Sequence, residues 1–241
     1  MRKIYTILLI LFPFVMLGNS LDSLTQSIDS LKEIKITIGI SASPDYCFRK
    51  LKPDDDSKWI SDIRDTLEIA KLGYTVGANV EYKINKKIKV VSGILFSDCG
   101  ERTKKYSLVS VPAGQDPIMY SYNFHYYYLN IPLKVDYYLL TRKLKFYVAA
   151  GISANVFLNQ KVTSITTYGN SDTKVNSKVD PGFSRLNLAV SAGCGMRYPI
   201  NKNTDLMIEP VYRRSVTSII KAPVKGYLYS FGMNIGMFFN L

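Results

Sequence analysis

From Lys71 to Ile84 the chain alternates apolar and polar residues with a period of two. Leu72, Tyr74, Val76, Ala78, Val80, Tyr82 and Ile84 form one series, and Lys71, Gly73, Thr75, Gly77, Asn79, Glu81 and Lys83 the other. Successive side chains of a β-strand point to opposite faces, so this segment makes a sheet with one greasy and one polar side. The run is longer than an ordinary soluble strand requires. The pattern recurs along the chain. Ile34, Ile36, Ile38, Ile40 and Ala42 line a first strand, with Lys71–Ile84 the second. Ile88–Phe96 and Tyr126–Leu140 supply a third and fourth. A fifth carries Phe146 to Leu158, a sixth Leu186 to Met196 and a seventh Leu206, Ile208 and Tyr212. The last sets Tyr227, Tyr229, Phe231, Met233, Ile235, Met237 and Phe239 against Ser230, Gly232, Asn234 and Gly236.

The connections alternate as well. Asn85-Lys86-Lys87, Thr141-Arg142-Lys143 and Asn201-Lys202-Asn203 are short and turn-like. Between them lie long polar stretches at residues 44–70, 101–122 and 160–184, and a shorter one at 216–224. Short turns at one end and long loops at the other, joined by about eight antiparallel strands, predict an up-and-down transmembrane β-barrel. Its turns would be periplasmic and its loops extracellular.

The polar face decides which side meets lipid. It holds Lys71, Glu81, Lys83, Lys134, Asp136, Arg185, Arg197, Glu209 and Arg213. On a lipid face each central Lys or Arg would cost about 2–4 kcal/mol. Inside a narrow barrel, acids and bases neutralise one another. The apolar faces, broken only by residues such as Ser92, Pro210 and Arg214, therefore face lipid. A ligand-binding soluble barrel would be the other way round. Two aromatic bands are expected at the membrane interfaces: Tyr137, Tyr138, Tyr198, Phe238 and Phe239 at the periplasmic end, and Tyr126, Tyr127, Tyr128, Tyr212, Tyr227 and Tyr229 at the outer end.

Arg2 and Lys3 precede an apolar run from Ile4 to Leu17 and then Gly18-Asn19-Ser20, the pattern of a signal peptide cleaved near Ser20. That run, interrupted by Pro13, is short of the roughly 20 residues a spanning helix needs. Residues 1–20 are thus read as the signal peptide, 21–33 as a short periplasmic lead, and 34–241 as the barrel domain. The outer membrane of a Gram-negative cell is the expected location. The net charge of +12 is spread along the chain without a compact basic block, which argues against nucleic-acid binding.

Residues 128–134 (Tyr-Leu-Asn-Ile-Pro-Leu-Lys), residues 145–151 (Lys-Phe-Tyr-Val-Ala-Ala-Gly), Ala192-Gly193-Cys194-Gly195-Met196 and residues 231–236 (Phe-Gly-Met-Asn-Ile-Gly) resemble segments of the PorT-like outer-membrane β-barrel family, whose members include small barrels of OmpA or OmpX size. The ending from Tyr229 to Leu241 is similar to the terminal strand by which barrel-assembly machinery recognises substrates, with Leu241 in place of the commoner Phe. The resemblance implies a barrel that assists protein export, and it assigns no functional residue.

Chemistry is sparse. The single histidine, His125, lies toward the outer end with Ser121 and Glu101, which keeps a lipid-directed enzyme open as an alternative, beside a narrow pore. Asp54-Asp55-Asp56 lies between Lys52 and Lys58 and reads as a solvated loop, since calcium needs six to eight converging oxygens. Cys47, Cys99 and Cys194 match no metal spacing, and a Cys47–Cys99 disulfide is conceivable from their positions at outer strand ends. No catalytic, cofactor-binding or metal-binding residue is assigned, and no cofactor is expected. The expected protein is a non-enzymatic monomer with a structural or interaction role in the envelope, its partners being outer-membrane lipid and a protein of the envelope or a secretion system.

Overall fold

The computed structural model describes residues 36–107, 116–141, 143–178, 182–220, 222 and 224–240. The expected signal peptide and lead lie outside them. The chain divides into two units, Met1–Ile34 and Lys35–Leu241, and the second carries the fold.

Eight long strands form a closed antiparallel ring: β1 (Ile36–Lys52), β2 (Glu68–Lys83), β3 (Ile88–Cys99), β6 (Met119–Thr141), β7 (Lys145–Tyr168), β9 (Leu186–Pro199), β10 (Thr204–Ser215) and β11 (Lys225–Asn240). Short strands β4 (Glu101–Thr103) and β5 (Tyr106–Ser107) extend the outer rim, and β8 (Ser171–Lys178) pairs with the upper part of β7. Closure is made by the first and last strands: Ile38 faces Phe239 on one side and Val80 on the other. Each strand of the ring has a neighbour on both sides, so its backbone groups are satisfied within the sheet.

Local chemistry sets the turns. Asn85 Oδ1 accepts hydrogen bonds from the Lys87 and Ile88 amides at 2.8 and 2.9 Å, and Asn201 Oδ1 accepts from the Asn203 amide at 2.9 Å. These side chains substitute for backbone acceptors and reverse the chain in a few residues. At the opposite end the strands outlast their expected limits. β1 continues to Lys52, helix α1 (Lys58–Leu67) fills the first loop, and β6 and β7 rise well past the other strands. Their extra length carries no greasy outward face in β6, where Ser121, Asn123 and His125 take those positions, so the apolar alternation that marks the membrane portion stops before the strand does.

Burial is inverted relative to a soluble domain. Leu72 and Ile40 are 78% and 59% exposed, whereas Arg197 and Glu209 are 0% exposed. The apolar series therefore forms the outer wall and the charged series the lumen. On that wall Tyr74 and Tyr82 bracket Val76, Ala78 and Val80, and Tyr127 and Tyr137 bracket Leu129, Ile131, Leu133 and Val135. Each stretch matches the about 9–11 residues a tilted strand needs to cross a bilayer.

The two aromatic bands need correction at four positions. Tyr126, Tyr128, Tyr138 and Phe238 are buried in the lumen, while Tyr127, Tyr137 and Phe239 stay on the outer wall. Adjacent strand residues cannot share a face, so each run of consecutive aromatics splits between lipid and lumen.

The wall makes a depth-dependent prediction. Leu133→Arg, near the middle of the stretch between Tyr127 and Tyr137, should lower stability by about 2–4 kcal/mol, and Tyr137→Arg by about 1 kcal/mol or less. Denaturant unfolding of the barrel in lipid vesicles checks both values; equal costs would contradict the assigned membrane span.

Candidate functional site: the lumen and its two mouths

The lumen is crossed by one connected polar chain. At its inner end Lys89 Nζ donates to Glu81 Oε2 at 3.0 Å. Arg197 grips the same carboxylate with both terminal nitrogens, and its guanidinium lies 4.1 Å from the Phe238 ring centre. Asp136 stands 3.8 Å from Arg197 and 3.3 Å from Lys134 Nζ. Lys134 then donates to Glu209 at 2.6 Å, where the Tyr147 hydroxyl and Asn234 amide also donate, at 2.7 and 2.8 Å. Arg213 bridges Asn234 Oδ1 at 2.7 Å to Asp45 Oδ1 at 2.8 Å, and Asp45 also accepts from Ser43 and Thr75.

The plug is charge-balanced. Lys89, Lys134, Arg197 and Arg213 oppose Asp45, Glu81, Asp136 and Glu209, one cation for each acid. Opposite charges within ion-pair distance are what a narrow, poorly hydrated interior tolerates, and Asp136 is held by ion pairs alone, its oxygens making no hydrogen bond. Strand alternation delivers them: each lies at a lumen-facing position of β1, β2, β3, β6, β9 or β10.

Toward the outer mouth the filling changes. A cavity of about 100 Å³ separates the plug from a buried apolar layer. That layer comprises Tyr126, Tyr128, Phe183, Ile219 and Leu228, with Phe157 stacked on Phe183 at 4.6 Å. Sequence reasoning missed this layer, although the phase of β6 contains the signal for Tyr126 and Tyr128. Above it, Arg49 meets Glu68 at 2.5 Å and Glu101 at 3.0 Å, while the Tyr126 hydroxyl donates to Glu101 at 2.5 Å. Glu101 lies in β4, beyond the outer aromatic belt, and burial pushes its carboxyl up to about 7 against the pull of Arg49. Tyr106, Tyr122 and Phe124 form an aromatic ladder over this cluster and line an outer cup of about 650 Å³. The inner mouth, about 660 Å³, is lined by Lys83, Lys86, Lys89, Lys145 and Lys202, with Lys145 3.4 Å from Asp205.

Several expected site residues are placed differently. Lys71 leaves the lumen set: β2 changes phase between Glu68 and Gly73, and Lys71 Nζ reaches Asp98 at 2.8 Å and His125 Nδ1 at 2.7 Å. Asp98 and His125 are themselves 2.8 Å apart, on the outer wall. Glu101 points into the lumen, so it is separated from His125 by the sheet. Arg185 sits outside the strands, before β9. Asp54 precedes a 3₁₀ turn, Asp55–Ser57, whose acids are exposed. Cys47 and Cys99 are free thiols, and Cys194 is exposed on the outer wall. Lys134, Asp136, Glu81, Arg197, Glu209 and Arg213 take their expected lumen places.

The plug yields a paired prediction. Arg197→Met removes the main partner of a buried carboxylate and should destabilise the barrel by about 3 kcal/mol. Adding Glu81→Gln should recover most of that loss, because the uncompensated charge goes with it. Unfolding midpoints of the single and double variants decide this; additive losses would contradict the pairing.

No functionally curated protein matches the chain. Among solved structures it is similar to Neisserial surface protein A, at 14% identity over 83% of this chain and 95% of that one, with a TM-score of 0.43. A major outer membrane protein of Thermus thermophilus shows 10% identity over 86% and 99%, with a TM-score of 0.44. The outer membrane protease OmpT of Escherichia coli shows 8% identity over 86% and 97%, with a TM-score of 0.42. These likenesses carry no assignment of role. The sequence family described as "Outer membrane protein beta-barrel domain" matches residues 17–221. The chain therefore belongs to the outer-membrane β-barrel family and is a protein of the outer membrane.

Proposed function

We propose that this barrel is a non-enzymatic, non-conducting interaction protein of the envelope, whose mouths rather than its lumen engage other molecules. The observation that carries this reading is the filled lumen. A balanced ionic plug and a separate apolar layer occupy the path between the two cups. Eight strands leave an interior just wide enough for side chains, so the plug has no need to move for the barrel to be stable.

An accessory role in protein export is the finer form of this proposal, supported by the resemblance to PorT-like barrels in the segments around Ile131 and Gly151. The protein acts as a monomer in this reading, after removal of residues 1–20. A second reading, an enzyme acting on lipid through His125, draws on the 2.8 Å contact between His125 and Asp98. Against it, Nδ1 is shared between Asp98 and the Lys71 ammonium, 2.7 Å away, and Glu101 lies across the sheet from the ring. A general base needs a nucleophile within hydrogen-bond reach.

Reconstitution into planar bilayers tests the proposal. The purified barrel should give no reproducible single-channel steps, while Lys134→Ala with Arg213→Ala should introduce noisy, small conductances by opening the plug. Steady conductance of the unmodified protein would overturn the reading in favour of a pore.

A further inference from the structure

The outer wall changes character just above its aromatic belt. The belt is continuous over several strands: Phe48 stacks on Tyr229 at 5.1 Å, Tyr74 meets Phe96 at 6.2 Å, and Phe96 stacks on Tyr127 at 5.8 Å. Below it, the outward positions are the apolar series. One outward step above it, the positions of β1, β6, β7 and β10 become basic, while β2 carries Leu72 and β3 Asp98. Lys50 follows Phe48 by two residues in β1, and Arg214 follows Tyr212 by two in β10, its guanidinium 5.3 Å from the Tyr229 ring centre. His125 precedes Tyr127 by two in β6 and stacks beside it at 6.2 Å. Lys161 is its direct partner in β7, and Lys178 the partner of Lys161 in β8. Arg102, paired with Asn123, continues the wall from β4.

Asp98 is the acid that shares this level, and both of its oxygens are taken, one by Lys71 and one by His125. The collar is therefore left with a surplus of positive charge, unlike the lumen, where each cation has its acid. Two features make lipid the occupant. These side chains point away from the lumen: Lys50, Arg214 and His125 lie two residues from belt aromatics of their own strands, and Lys161 and Lys178 lie level with His125 across the sheet, so headgroups are what lies against them. Long cationic side chains beside an aromatic belt are also placed to reach interfacial phosphates, which attract Lys and Arg near the surface.

We propose that this collar binds the phosphate groups of outer-leaflet lipid, with Lys50, Lys161, Lys178 and Arg214 as its principal contacts. Lys71 and Asp98 act through His125, holding its ring against Tyr127. Phosphorylated lipid is thus a recognised ligand of the outer wall, beyond its part as solvent for the barrel.

The test compares the full barrel with a Lys50→Gln, Lys161→Gln, Lys178→Gln, Arg214→Gln variant in mixed micelles containing bisphosphorylated lipid A or its dephosphorylated form. Faster gel migration of unheated than of boiled samples shows that both proteins are folded. Native mass spectrometry should show the parent retaining the phosphorylated lipid at least about tenfold better than the dephosphorylated one, with the variant losing that preference. An unchanged preference in the folded variant would overturn the proposal. So would equal retention of both lipids by the parent, or full displacement by millimolar inorganic phosphate, which would assign the sites to free anion. Should the quadruple variant fail to fold, Lys161→Gln with Lys178→Gln alone must still lower the preference for the proposal to stand.

Discussion

Hydrocarbon offers no partner for a peptide group, and that constraint organises the molecule. A strand facing lipid must find its backbone hydrogen bonds within protein, and only a sheet closed on itself does this for all strands at once. The pairing of β1 with both β2 and β11 meets this requirement. Once the ring is closed, the period of two does the rest. Every second residue is delivered to lipid and every other one to a lumen too narrow to stay freely hydrated.

The lumen then becomes the place where polarity must be resolved. Here it is resolved by arithmetic as much as by geometry: four acids face four cations, and the links between them run from Lys89 to Asp45. Removing one member leaves another exposed to a poorly hydrated interior, which is more costly than never having placed the pair. The apolar layer at Tyr126, Tyr128 and Phe183 closes the lumen a second time, by packing rather than charge. Two independent seals favour a barrel that works through its ends and its outer wall. The excess positive charge of the chain lies correspondingly outside the plug, at the inner mouth, in the turns and on the collar.

The membrane portion was legible in the sequence because lipid imposes strong contrast on alternate residues. The greasy series of β2, β7 and β11 could be phased without any structure, and Asn85 and Asn201 marked their turns. Legibility fades where lipid ends. Residues 44–52 and 160–168 prolong β1 and β7 as strands, yet one side meets headgroups or water and the other a cup of mixed polar and aromatic lining, so the alternation carries little contrast. The phase change in β2 before Gly73 was invisible for the same reason, and it moved Lys71 from the expected lumen set to the His125 cluster. The buried aromatic layer was hidden differently. A run such as Tyr126-Tyr127-Tyr128 reads as a girdle by composition, and only strict alternation separates the lipid-facing Tyr127 from its two lumen neighbours.

The chain is a closed barrel lodged in the outer membrane. Gel mobility of the outer-membrane fraction, unheated against boiled in SDS, tests it most directly, because a closed hydrogen-bonded ring resists the detergent until heated. The protein should be recovered in that fraction, with the unheated band running ahead of the boiled one. A single band of unchanged mobility, recovered with the soluble periplasmic proteins, would contradict it and turn the apolar wall into a buried interface of some other assembly.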